Sequence, residues 1–316
     1  MSNKIEQEIN KIEIPKELNE RSKLGVLKAK SEKQRSRKSF NLKVIAVAAS
    51  LVLSIGTFAI YNNFNQNNTT PNQNTLIVNE NGSVVIPKIQ LPRDASSASM
   101  IGLIVFNEKI YTQTRTEVDA EDAKALLGEK LGTTKGTIDE WSKQEAYDEE
   151  FASTIGKADV YAVKGYDKDF RIMTYEEREG KFYAAFYESL NGITVHDGKD
   201  VFGKLKMTGN IAIAQYRFYS DWNNSIDNYH PIRDMNVLEA FIENLNEARP
   251  FPRNKNEPLS EESRNDEEYR ELIVHLNDGS KVSLTLLKGG YIYYGHMAVY
   301  FKMDEDQFSR MWNQLQ

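Results

Sequence analysis

The stretch LIVHLNDGSKVSLTLLKGGYIYYGHMAVYFKM, residues 272–303, predicts a three-stranded antiparallel meander. Its apolar runs are rich in β-branched and aromatic residues, and short glycine-containing loops separate them. A three-residue loop with Gly279 in the left-handed region would place Val274 opposite Val282. In this register one face of the meander is apolar.

The second turn of the meander is predicted at Gly289-Gly290. A two-residue turn at these glycines would place Leu286 opposite Tyr293 and Val282 opposite Met297. The apolar face would then continue across all three strands.

Segments with helical spacing predict the helices that pack on the sheets. Asp304 is suited to cap the sequence EDQFSRMWNQL, residues 305–315, whose apolar residues fall on one side of a helix. The same periodicity appears in Met235–Ala248 and in Asp119–Leu131, where Asp119 is a potential helix cap.

Further strands are predicted between residues 159 and 190, where apolar residues alternate between short turn sequences. The fold class is therefore α+β, with antiparallel sheets and packing helices over residues 100–316. These residues form either one domain or two subdomains divided near residues 205–235.

A second stretch, VIAVAASLVLSIGTFAIY at Val44–Tyr61, contains no charged residue. As a helix it would be about 27 Å long, close to the thickness of the hydrocarbon core of a bilayer. Residues 1–43 contain 12 Lys or Arg and six Glu, whereas residues 62–81 contain no Lys or Arg. The positive-inside rule therefore predicts one transmembrane helix, with residues 1–43 in the cytoplasm and the C-terminal domain outside the cell.

Two other interpretations of the apolar run are less favoured. A cleaved signal peptide would carry its charges within the first few residues and would have a shorter apolar core. A buried helix of a soluble domain would carry a polar face. Instead, the run is followed by the uncharged low-complexity sequence NNFNQNNTTPNQNT, which opens a predicted linker and extension at residues 62–99.

The charge of the chain is unevenly distributed. Residues 1–43 have a net charge of +6 and the whole chain has −6, which leaves −12 on the rest. An acidic ectodomain argues against nucleic-acid binding. The chain has no cysteine, which excludes disulfides, thiolate metal sites and a cysteine nucleophile.

The N-terminal tail carries sparse apolar residues at helical spacing, which form its predicted partner-binding face. These residues are Ile5, Ile9, Ile12, Leu18, Leu24 and Leu27. These few apolar groups cannot form a hydrophobic core. Helices in the tail would therefore need a partner to become stable. The alternative is a solvated basic tail that only sets the topology.

The sequence IPKELNERSKLGVLKAKSEK, Ile14–Lys33, is followed by a basic run and then directly by the apolar span. This arrangement resembles the N-termini of membrane-anchored anti-sigma factors and related extracytoplasmic regulators of Bacillus and Clostridium species. The Ile-Pro-x-Glu-Leu element of these proteins matches at Ile14, Pro15, Glu17 and Leu18. The resemblance implies a sigma factor as cytoplasmic partner, released after regulated cleavage of the ectodomain and the span.

The sequence contains no nucleophile elbow, phosphate-binding loop, HExxH helix or kinase motif set. In the predicted register His275 and His296 would lie about 12 Å apart, too far to hold one metal ion. We therefore expect a protein that is not an enzyme and that has no metal site and no cofactor.

The meander also carries a predicted ligand platform made of tyrosine side chains, which combine apolar area with a polar tip. Its members are Tyr291, Tyr293, Tyr294 and Tyr300. The alternative is that these tyrosines are core or sheet-face residues.

The sequence thus predicts a single-pass envelope regulator that resembles an anti-sigma factor, with the ectodomain as sensor and the tail as the site for a cytoplasmic partner. The alternative is an anchored extracellular binding or structural module without a cytoplasmic partner. The two hypotheses differ in the tail, because partner binding needs its apolar face whereas topology needs only its Lys and Arg residues.

Overall fold

A computed structural model describes residues 76–90, 101–139, 141–253 and 263–316. All of these residues belong to one unit, Leu51–Gln316. The predicted tail, the predicted span and most of the predicted linker lie outside the described ranges. Within those ranges, no helix has the length and apolar character needed to cross a membrane.

The described part of the chain is an α+β fold in which antiparallel strands predominate. The strands are β1 (Ile77–Val78), β2 (Val84–Ile86), β3 (Leu103–Phe106), β4 (Lys109–Gln113), β5 (Thr116–Val118), β6 (Leu127–Thr133), β7 (Asp159–Val163), β8 (Arg171–Arg178), β9 (Lys181–Glu188), β10 (Ile193–Val195), β11 (Ile211–Phe218), β12 (His230–Pro231), β13 (Arg249–Pro252), β14 (Tyr269–Leu276), β15 (Ser280–Leu287), β16 (Tyr291–Tyr294) and β17 (Val299–Lys302). The helices are α1 (Ala120–Leu126), α2 (Tyr219–Asn223), α3 (Met235–Leu245) and α4 (Glu305–Trp312), with 3₁₀ turns at Gln144–Asp148, Gly198–Asp200 and Phe202–Leu205.

The strands form three sheets. A small sheet has the order β1-β2-β10, and a six-stranded sheet has the order β3-β4-β9-β8-β7-β6. The largest sheet has the order β12-β11-β14-β15-β16-β17-β13, with β5 also paired to β15. Because β4 belongs to the six-stranded sheet and β5 to the eight-stranded one, the short link between these strands brings the two sheets together.

The predicted register of the C-terminal meander is confirmed for its first turn. Val274 pairs with Val282, and Gly279 has a φ of 85°. The predicted register of the second turn was wrong by one residue, because Leu286 pairs with Ile292. Lys288 belongs to this loop, which therefore has three residues instead of two. As a result, Tyr293 points to the face opposite that of Leu286.

The predicted helix Asp119–Leu131 was correct only in its first half, because α1 ends at Leu126 and β6 follows at once. Two glycines explain the change. A Cβ on Gly128 would lie 2.8 Å from a carbonyl oxygen of the neighbouring strand, and one on Gly132 would overlap the ring of Phe151. Glycine weakens a helix and permits this close approach, so the sheet contacts prevail over local helix preference.

Helices α3 and α4 cover the apolar face of the eight-stranded sheet, as the sequence predicted, and each ends about one turn earlier than expected. Together they bury Leu238, Phe241, Ile242, Leu245, Phe308, Met311 and Trp312. The side chains of Asp234 and Asp304 accept backbone N–H groups at the two helix starts. Asp119 precedes α1 but makes no cap and instead binds the Lys281 ammonium at 2.7 Å.

Among the described residues, strand β13 is an edge strand of the eight-stranded sheet. It contains Pro250 and Pro252. The Arg253 N–H donates to the Ala298 carbonyl at 2.9 Å, on the side of β17. Because N–H groups alternate in direction along a strand, the N–H of Phe251 points the same way and the two prolines occupy the outward positions.

Candidate functional site

The four tyrosines of the predicted platform lie on two different faces of the eight-stranded sheet. Tyr294 packs in the helix-covered core, whereas Tyr291, Tyr293 and Tyr300 cluster on the other face. The ring centroids of Tyr293 and Tyr300 are 5.3 Å apart. Tyr294 and Tyr300 are 0% exposed, so their rings have no free face to offer a ligand.

Tyr294 takes part in a buried polar network between the two large sheets. Its hydroxyl donates to the Glu188 carboxylate at 2.7 Å, and Arg171 donates to the same carboxylate through Nε at 2.9 Å. Thr116 Oγ1 lies 2.7 Å from the Tyr294 hydroxyl oxygen. Glu188 and Arg171 belong to the six-stranded sheet, and Thr116 and Tyr294 to the eight-stranded one, so the network joins the two sheets.

The network keeps its groups in fixed protonation states. Burial alone would lower the pKa of Arg171, but the nearby Glu188 carboxylate raises it above its ordinary value. Burial, followed by the charge of Glu188, raises the pKa of Tyr294 well above its ordinary value. A permanently charged arginine and a permanently protonated tyrosine suit a structural link better than proton transfer.

A cleft of about 550 Å³ opens at the surface of the described part of the chain. Its walls carry four lysines and three carboxylates: Lys88, Lys109, Lys204, Lys206, Glu108, Asp167 and Asp169. Lys109 opens β4 and the two aspartates lie in the β7–β8 loop, all at one end of the six-stranded sheet. Lys204 and Lys206 come from the opposite wall, at the 3₁₀ turn Phe202–Leu205.

The opposite wall is anchored in the main core. Phe202 and Leu205 are buried there, and the Phe202 ring contacts Phe301 of β17 at a centroid distance of 4.7 Å. Because these apolar residues hold the 3₁₀ turn from below, the lysines between and after them face outward. Phe170 of the β7–β8 loop also lines the cleft and belongs to the same core cluster, so both walls of the cleft are joined to the main core.

Lys109 forms an ion pair with Asp169 at 2.9 Å. The ammonium groups of Lys88 and Lys206 donate instead to the carbonyl oxygens of Glu108 and Gly165. Among the described residues, no carboxylate lies within salt-bridge distance of Lys88, Lys204 or Lys206. Their charges are therefore not neutralised by an acidic partner, although the ammonium groups of Lys204 and Lys206 also lie over the rings of Phe170 and Tyr166.

Local turns give the cleft its shape. Asn107 and Glu108, both with left-handed φ angles of 50° and 60°, close the tight β3–β4 hairpin directly before Lys109. The Asn191 side chain donates to the Ile110 carbonyl at 2.8 Å and accepts the Ile89 N–H at 3.3 Å. These bonds fix the β9–β10 loop against the hairpin. Nothing in the sequence indicated that lysines from distant segments meet beside the Asn191-Gly192 turn.

His275 and His296 do not converge with other ligands. Within the described ranges, no three His, Asp or Glu side chains are placed to hold a metal ion together. Burial and the neighbouring Arg115 and Arg253 lower the pKa of His296 to about 4. This ring is thus neutral at physiological pH.

The predicted partner-binding residues of the tail lie outside the described residues; they are Ile5, Ile9, Ile12, Leu18, Leu24 and Leu27. Comparisons of the chain with protein-family models, curated proteins and solved structures find no match. The function is therefore argued from the sequence and from the site alone.

Proposed function

We propose that this protein is a single-pass envelope regulator, similar in plan to an anti-sigma factor. In this proposal residues 100–316 form a non-enzymatic sensor outside the cell, and residues 1–43 bind a cytoplasmic partner such as a sigma factor. The uncharged run Val44–Tyr61 after a tail of charge +6 supports the topology. The resemblance of Ile14–Lys33 to anti-sigma N-termini supports the partner.

The observation that carries the sensor role is the lysine-lined cleft. A ligand in the cleft would touch Lys109 on the six-stranded sheet and Lys204 on the wall anchored in the main core. A ligand that bridges the two walls can bind one relative arrangement of them better than another, which is the requirement for a signal. The cleft carries four lysines against three carboxylates, so it would favour an anionic ligand over a cationic one although the domain as a whole is acidic.

The topology is tested with protease on intact cells. We expect the chain beyond residue 62 to be digested and the tail to be protected. Digestion of the tail alone would show that the protein has the opposite orientation in the membrane.

The regulator is tested by affinity purification of the full chain from its own cells. We compare wild type with Ile9→Asp/Leu18→Asp, which places two charges on the apolar face of the tail. A matched control, Gln7→Asp/Asn19→Asp, adds the same charge at neighbouring polar positions. We expect a sigma factor with wild type and with the control, but not with the apolar-face variant.

The second candidate is an anchored extracellular binding module whose tail only sets topology. The cleft supports this function equally well, since it needs no cytoplasmic partner. The same experiment separates the two. Recovery of the same proteins with all three tails would favour the anchored module.

A further inference from the structure

A row of three aromatic side chains crosses adjacent strands on one face of the six-stranded sheet: Tyr161 on β7, Tyr175 on β8 and Phe182 on β9. We call it the aromatic row. Tyr161 pairs with Met173, two residues before Tyr175, and Tyr175 pairs with Ala184, two residues after Phe182. Because side chains alternate between faces along a strand, all three point to the same side.

The row lies beside the part of this face that helix α1 covers. The Ala123 and Leu126 side chains of α1 pack in one cluster with Met173, and the half-buried Tyr161 and Tyr175 pack against this cluster. Phe182 is 43% exposed, and its ring stacks on Tyr175 at 5.7 Å with an interplanar angle of 20°. Phe182 therefore presents the outer ring of the stack to solvent beside the half-buried Tyr175, which suggests a binding role.

A concavity of about 430 Å³ adjoins the row, and Tyr161 and Tyr175 line it together with polar side chains. Among these, the Asp159 carboxylate accepts the Thr133 hydroxyl at 2.8 Å and pairs with the Lys130 ammonium at 2.7 Å. The site thus places fixed hydrogen-bonding groups at the edge of an aromatic surface.

The charges around the concavity nearly cancel. Two lysines and three carboxylates line or adjoin it: Lys130, Lys157, Asp159, Glu176 and Glu177. A site with so little net charge suits neither a polyanion nor a polycation. The row also lies on a sheet face, whereas an extended peptide that adds to a sheet needs a free strand edge.

We propose that the aromatic row and its concavity bind a neutral saccharide chain. Sugar rings carry apolar C–H faces that stack on aromatic rings, and their hydroxyl groups hydrogen-bond to charged side chains such as Asp159 and Glu177. The row spans three strands, about 10 Å, which is enough for more than one sugar ring. This site is separate from the lysine-lined cleft and does not depend on the proposed regulatory role.

The test is titration calorimetry of the full chain in lipid nanodiscs with three neutral hexasaccharides: maltohexaose, cellohexaose and chitohexaose. We expect at least one of them to bind. Phe182→Ala should lower its affinity at least about tenfold, which corresponds to one lost stacking contact. Phe182→Leu should do the same, because it keeps the apolar volume but removes the ring.

Tyr183→Ala is the matched control. Tyr183 is the next residue on the same strand, is 49% exposed and points to the opposite face, so its loss should leave the affinity unchanged. Thermal unfolding of each variant verifies that the domain is folded. Three results would overturn the proposal: no binding of any hexasaccharide at about 10 mM, an equal loss with Tyr183→Ala, or stronger binding of a hexa-arginine peptide that the Phe182 variants abolish.

Discussion

Arg171 and Glu188 are cross-strand neighbours on β8 and β9, and their side chains form an ion pair that is completely enclosed by the protein. Nη2 of the arginine lies 2.5 Å from the carboxylate, and the two side chains are 0% and 1% exposed. The Tyr294 hydroxyl reaches the same carboxylate from the other large sheet. The pair therefore fixes where the two sheets meet.

Removing one partner of this pair should be costly, because the other charge then stays buried without compensation. We expect Glu188→Gln to lower the free energy of unfolding by about 3–5 kcal/mol. Urea denaturation measures this change in the free energy of unfolding, and Glu177→Gln, at an exposed position, is the control. A loss no larger than that of the control would show that the pair is not needed for the fold.

Tyr294→Phe tests the link between the sheets separately. It removes a hydroxyl but keeps the ring, so we expect a loss of about 1–3 kcal/mol in the free energy of unfolding. In a double-mutant cycle with Glu188→Gln the two losses should not add, since both changes break the same network. Strict additivity would contradict a network.

Stability should fall as pH is lowered from about 6.5 to about 4, in part because of His296. Its pKa is about 4 in the folded protein and ordinarily 6.5, so the unfolded chain binds the proton first as the pH falls. The stabilisation is complete above pH 6.5 and is lost on acidification, up to about 3 kcal/mol. The His296→Asn variant should show a flatter pH profile than wild type in chemical denaturation. Equal slopes in the two proteins would refute this assignment.

Trp312 should be needed for the docking of α4. It is 9% exposed, and its ring stacks on Phe308 at a centroid distance of 5.6 Å. We expect Trp312→Ala to cost about 3 kcal/mol or more in the free energy of unfolding. Trp141→Ala is a matched control, because Trp141 is 73% exposed and should change stability by less than about 0.5 kcal/mol.

Gly132→Ala should destabilise the edge of the six-stranded sheet, because the added methyl group would overlap the Phe151 ring. We expect a loss of about 1–3 kcal/mol. Gly156→Ala is the control, since nothing lies within 4 Å of a Cβ at that position. If both variants lost the same small amount, the close contact at Gly132 would not be what selects strand over helix.

This last case also shows what the sequence could and could not predict. The residues up to Leu126 are helical and were recognised, but Gly128 and Gly132 serve contacts with residues far along the chain. Local periodicity carries no information about such contacts. The hairpin at Gly279 was predictable because its loop length and its left-handed glycine set the register. At Gly289-Gly290 the inclusion of Lys288 in the loop shifted the register, which local sequence did not reveal.

The candidate sites also differ in whether local sequence or contacts between distant segments determine them. The lysine-lined cleft joins Lys88, Lys109 and Lys204 from segments far apart in the sequence, so only the fold brings them together. The predicted tyrosine platform combined Tyr293 and Tyr294, which are consecutive in one strand and therefore point to opposite faces of the sheet. The aromatic row was in principle more accessible, because its three strands were recognised and their pairing follows from short turns.

The two prolines of β13 have a consequence beyond the fold itself. An exposed sheet edge is a template on which further chains can add as strands, which leads to aggregation. At Pro250 and Pro252 the outward edge has no N–H to donate, so an incoming strand would find acceptors without the matching donors. A domain this rich in sheet can therefore be present at high density without polymerising from this edge.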